Sequence, residues 1–100
     1  MILEIADLLV QPGTQSQFER EIQRGVETVI ARSPGFLRYE VQRGIETPER
    51  FVLLIEWERL EDHTIGFRGS PAFARWREIV SPYFARPPVV EHFQRACGTR

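Results

Sequence analysis

The sequence has no lysine, no asparagine, one cysteine, two histidines, and no apolar run long enough to cross a bilayer. Each scarcity excludes something. A lone thiol, Cys97, forms no internal disulfide and is too little for a structural zinc site. No Cys, His or Asp cluster has metal-ligand spacing and no glycine-rich loop cradles phosphate, so neither metal nor cofactor is expected. Thirteen basic residues, all arginine, face fourteen acidic ones, for a net charge of −1. That balance gives a polyanion nothing to bind, so nucleic acid is not an expected partner. The missing lysines read as codon usage in a GC-rich genome. The apolar start, Ile2–Val10, is broken by Glu4 and Asp7 and lacks a basic lead, so it is neither a signal peptide nor a membrane span. A soluble, cytoplasmic protein with no membrane partner is the expectation.

The chain is long enough for one core and no more. A single domain over residues 1–95, with a short tail over 96–100, accounts for it. Ile2–Val10 is rich in aliphatic and β-branched residues and stops at Pro12-Gly13, as a strand does. Phe18, Ile22, Val26, Val29 and Ile30 then fall on one face of a helix that Gly13 or Thr14 can cap. Ser33-Pro34-Gly35 ends it. Phe36–Arg43 alternates, with Leu37, Tyr39 and Val41 on one side, and Phe51–Arg59 is the strongest strand. Leu60–Arg68 reads as a short helical turn. Ser70-Pro71 starts a second helix, with Ser70 as cap, and Phe73, Trp76 and Val80 line one side of it. Val89–Arg95 is the last strand, Val90 and His92 on one face and Val89 and Phe93 on the other.

This order predicts an α+β, ferredoxin-like βαββαβ fold: a four-stranded antiparallel sheet with both helices on one face. The other face then lies bare, although the first and third strands are apolar on both sides. Leaving four or five aliphatic side chains in water forfeits about 1.5–3 kcal/mol each. A second copy laid face to face removes that cost, so a homodimer, an α+β barrel built from two sheets, is expected.

Pro34-Gly35-Phe36 followed by Tyr39-Glu40, then Phe51-Val52-Leu53 running into Glu56-Trp57-Glu58, resembles the antibiotic biosynthesis monooxygenase (ABM) domain of the dimeric α+β barrel superfamily. His63, Phe67-Arg68, Ser70, Phe73, Trp76-Arg77 and Val90-Glu91-His92-Phe93 resemble one branch of it. The resemblance implies a homodimer with helices outside and a pocket between helices and sheet in each subunit. Members that the chain resembles include monooxygenases that oxidise aromatic polyketides to quinones without metal or flavin, haem-degrading enzymes, proteins acting on quinols or signalling molecules, and many with no known activity. Oxygenases of the family that act on polyketides place an asparagine in the pocket, and this sequence has none. A histidine that many members carry about nine residues after the tryptophan matched by Trp57 is met here by His63, six residues on.

Within that frame His63 and His92 are the candidate catalytic bases, being the only side chains whose ordinary pKa lies near neutrality. A base within hydrogen-bond reach of a phenol can release the electron-rich phenolate to oxygen. The bland alternatives are a backbone-satisfied helix-start residue for His63 and a strand residue facing the dimer barrel for His92. Arg68 and Arg77 can hold a carboxylate or phenolate, or can simply pair with Glu61, Glu78 or Glu91. Trp57, Phe67, Phe73, Trp76 and Tyr83 are either core or the wall of a cavity for a flat aromatic ligand. The expected function is a cofactor-independent monooxygenase of a small aromatic or quinol-type substrate. The alternative is a non-catalytic ligand-binding or stress-associated dimer that keeps the fold. An open cavity faced by a histidine and an arginine distinguishes the first from the second.

Overall fold

Alternating apolar residues in four segments and one-sided apolar stripes in two others leave a single economical arrangement, a sheet with a helical layer on one face. The computed structural model describes residues 1–99; the last residue of the expected 96–100 tail lies outside the described residues. The elements are β1 (Ile2–Leu9), α1 (Gln15–Thr28), β2 (Phe36–Arg43), β3 (Arg50–Trp57), α2 (Pro71–Val80) and β4 (Val89–Phe93). The sheet is antiparallel throughout, in the order β2-β3-β1-β4. This is the α+β, ferredoxin-like arrangement expected from the sequence.

Strand parity builds the core. Ala6 and Leu8 of β1 and Phe51, Leu53, Ile55 and Trp57 of β3 face the helices and are buried. Phe18, Ile22 and Val26 of α1 close over them, with the Phe18 ring edge-on to Phe51 at 5.0 Å. Both helices need a close approach at Gly25, where an added Cβ would lie 2.9 Å from the Trp76 ring. The other face keeps Leu3, Ile5, Val52 and Leu54 only partly covered, and leaves Val89 and Phe93 of β4 exposed.

Four local expectations are corrected. In β2 the pairing slips between Phe36 and Arg38, so Leu37 is a bulged, exposed residue. Phe36, not Leu37, joins Tyr39 and Val41 on the helix side, its ring edge-on to Trp57. An extra residue reverses parity on one side of a bulge, which alternation alone does not reveal. Thr14 and Ser70 do stand at the two N-cap positions, but without capping through their side chains: each donates its hydroxyl backward, to the carbonyls of Gln11 and Phe67, and accepts nothing from its helix. Finally, the turn after β3 is a π-helical segment, Asp62–Phe67, in which the Arg68 amide reaches the His63 carbonyl five residues back.

Candidate functional site

The site starts from an oddity of β1. Ile2, Glu4, Ala6 and Leu8 share the face that meets the helices, so a carboxyl group is carried into the apolar layer, where Glu4 is only 5% exposed. Its cross-strand neighbours are Ile55 on β3 and His92 on β4. Such a group must find partners or give up its charge. The indole Nε1–H of Trp57 donates to Glu4 Oε1 at 2.9 Å, and His63 Nε2 approaches the same oxygen at 3.4 Å.

The π-helical segment brings His63 there. Its wide turn directs His63 and Phe67, four residues apart, into the same layer, and both are buried. The imidazole stacks on Trp57 at 5.3 Å and 17° and on Phe67 at 6.1 Å and 24°. Its Nδ1 lies 2.7 Å from Nε2 of His92, so one ring donates and the other accepts. Glu4, His63 and His92 therefore form a row, with the two nitrogens of His63 facing opposite neighbours. They do not converge on a common point as metal ligands would.

Burial sets the charges along the row. It pushes the Glu4 carboxyl up from 4.5 to about 7, outweighing the Trp57 hydrogen bond and the cation of Arg68. It pushes His63 down from 6.5 to about 3, helped by Arg68 and then by His92. His92 is lowered too, by burial first and Arg68 second. The sequence suggests that only the histidines titrate near neutrality; in the fold they are neutral and the glutamate is the group poised there. Its signal was present in the sequence, as a charged residue on the apolar parity of β1.

One end of a cavity of about 450 Å³ is closed by Glu4, His63, Phe67 and Arg68. Ala6, Leu8, Leu53 and Val90 form its sheet side, and Phe73, Trp76, Arg77 and Val80 of α2 its roof. That volume is in the range that holds a small organic molecule. Among the described residues neither Arg68 nor Arg77 forms an ion pair with Glu61, Glu78 or Glu91; Arg77 instead lies 5.9 Å over the Phe73 ring. Of the residues singled out in the sequence, His63, Phe67, Arg68, Phe73, Trp76 and Arg77 meet at this cavity. His92 stands behind His63, on the helix side of β4 rather than on the bare sheet face. Trp57 is fully buried behind the same ring, and Tyr83 packs on Phe18 away from the cavity.

The family model for antibiotic biosynthesis monooxygenases matches residues 1–79. The chain belongs to that family. It is 35% identical to YczJ, an uncharacterised protein of Bacillus subtilis, over 94% of this chain and 98% of that one. A family structure from Bordetella bronchiseptica superposes with a TM-score of 0.90 at 38% identity, covering 96% of this chain and 97% of the other. Two further structures share the fold. SnoaB, a cofactor-independent oxygenase from Streptomyces nogalater, has a TM-score of 0.81 at 18% identity, covering 97% of this chain and 94% of its own. A Streptomyces coelicolor monooxygenase in complex with nanaomycin D has a TM-score of 0.84 at 22%, covering 99% and 90%. Among the described residues no helix is long and apolar enough to cross a membrane.

Proposed function

We propose that this family member is a monooxygenase of small hydroxylated aromatics or quinols, working in the cavity between α2 and the sheet. The observation that carries the reading is the meeting, at one cavity, of an aromatic wall, two arginines that form no ion pair among the described residues and a buried acid–base row. A filled aromatic core would have favoured a binding protein without chemistry. Phe73 and Trp76 pack on one side of a flat ring from the α2 roof, and Arg68 and Arg77 hold the negative charge that develops when its hydroxyl is deprotonated. The His63–His92 pair serves that proton transfer. The phenolate itself supplies the electrons to dioxygen, so the reading assigns no flavin or metal. In net terms a naphthol and O₂ give a naphthoquinone and water: one oxygen atom enters the ring as a carbonyl, and the hydroxyl and ring hydrogens leave with the other. That two copies pack through the bare sheet face, around Leu3, Ile5, Leu54 and Phe93, belongs to the same proposal.

Oxygen uptake and quinone absorbance, followed with 1-naphthol, dihydroxynaphthalenes and anthrone, test it. Turnover well above the rate of autoxidation is expected, and His63→Ala should lower it by about 10²–10⁴-fold, the usual contribution of a proton-transfer group. His92→Ala should act in the same direction. No uptake with any of these substrates would leave a ligand-binding protein.

A further inference from the structure

Glu4 is the buried titratable group that the sequence gives no role. It lines the cavity, whereas His92 does not, and it sits at the cavity end of the row that His63 and His92 continue outward. The groups facing it come from every neighbouring element: Trp57 from β3, His63 and Arg68 from the π-helical segment and its end, and His92 from β4, with Arg77 of α2 across the cavity.

Resting on the oxygenase reading, we propose that the Glu4 carboxylate is the acid–base group that touches the substrate, and that His63 and His92 link it to solvent. As the phenolic O–H bond breaks, its proton goes to a Glu4 oxygen and the electron pair stays on the phenolate beside Arg68. When dioxygen has added at the ring carbon, Glu4 returns the proton to the outer oxygen. As the O–O bond breaks, that carbon's C–H electron pair forms the new C=O, and its proton passes by way of the re-ionised Glu4 to the departing hydroxide, which leaves as water. The protons of the hydroxyl and of the ring carbon both end on the departing oxygen, so a single carboxyl that takes up and returns each in turn closes the cycle. The histidines equilibrate the carboxyl with solvent before a substrate enters, through His63 Nε2, which faces the carboxyl, and His92, which is half-buried at the row's outer end.

Two independent features fit this assignment and disfavour either histidine as the acceptor. A base works best when its pKa lies near the working pH. Glu4 stands at about 7 and His63 near 3. Trp57 also fixes one carboxyl oxygen by its indole N–H, which holds Glu4 in place at the cavity it lines.

Infrared difference spectra of the protein without substrate, recorded across pH 5–9, should show a protonated-carboxyl carbonyl band that fades near pH 7 and is missing in Glu4→Gln. In the oxygen-uptake assay with 1-naphthol, native turnover should rise as pH passes about 7. Glu4→Gln, which keeps the Trp57 acceptor, should fall by about 10²–10⁴-fold and lose that rise. Glu4→Asp should keep a rise at a lower rate. Native turnover or a native pH profile in Glu4→Gln would overturn the Glu4 assignment and leave the oxygenase reading standing. The same band persisting in Glu4→Gln would overturn it too. No turnover by the native protein would bring down the oxygenase reading, and the proton transfer with it.

Discussion

Removing the charge from Glu4 should change how stability depends on pH, by an amount that follows from the fold. The folded carboxyl has its pKa raised from 4.5 to about 7, chiefly by burial. Between those values the folded protein holds a proton that the unfolded chain has released. This contribution to stability is therefore whole below pH 4.5, shrinks as pH rises, and is gone above about 7. At roughly 1.4 kcal/mol per pH unit the loss is about 3 kcal/mol. His63 runs the other way. Its pKa is lowered from 6.5 to about 3, so it contributes stability that grows as pH rises through that interval. In the native protein the two slopes oppose each other between about pH 4.5 and 6.5, and the profile there should be nearly flat. Glu4→Gln leaves only the histidine slope. The variant should gain about 3 kcal/mol on the native protein between pH 4.5 and 8, seen as a relative rise in Tm of more than about 10 °C in a domain this small. Urea or thermal unfolding at matched protein concentration across that range measures it. A difference between the two proteins that stays constant within about 0.5 kcal/mol would refute the account of Glu4 as a buried, titrating carboxyl.

Arg68→Gln removes the cation shared by all three groups of the row, so His63, His92 and Glu4 should each titrate at higher pH, which imidazole and carboxyl NMR signals report; unchanged histidine titrations would show that Arg68 does not act on them. Leu54→Asp puts a charge in the middle of the bare sheet face and should convert a dimer into a species near 11.7 kDa in sedimentation, whereas an unaltered native monomer would remove the case for face-to-face pairing. Gly25→Ala places a methyl group 2.9 Å from the Trp76 ring and should cost about 1–3 kcal/mol in unfolding experiments while weakening 1-naphthol binding severalfold, because the displaced ring is a cavity wall; a variant with native stability and affinity would contradict that packing.

Most of the architecture was legible because parity and helical period are local. The stripe from Phe18 to Ile30 and the alternation of β3 each specify a face without knowledge of the rest of the chain. The bulge at Leu37 and the π-helical turn at Asp62–Phe67 were not legible, since each adds one residue to a regular pattern and depends on what packs against it. The cavity residues from Phe67 to Arg77 could be named from the family resemblance together with the aromatic and arginine content of that stretch. That the two histidines touch could not, because their contact depends on β4 pairing with β1 in the register that sets His92 beside Glu4. Charge state was the hardest part. Ordinary pKa values single out the histidines, and only the burial of all three groups reverses their order with the glutamate.

The row Glu4–His63–His92 also has a consequence for the time course of folding. Its members lie on β1, on the segment after β3, and on β4, the last of them 88 residues after the first. Contacts of such long sequence separation carry the largest loop-closure cost and tend to form late. Until β4 docks, His63 lacks its His92 partner, and the imidazole stays open to water on that side. A chain caught before that step would lack the contact between the two histidines, and with it the smallest of the three influences that lower the His63 pKa. The contact between the two histidines is thus a sensitive report that the fourth strand has closed the sheet.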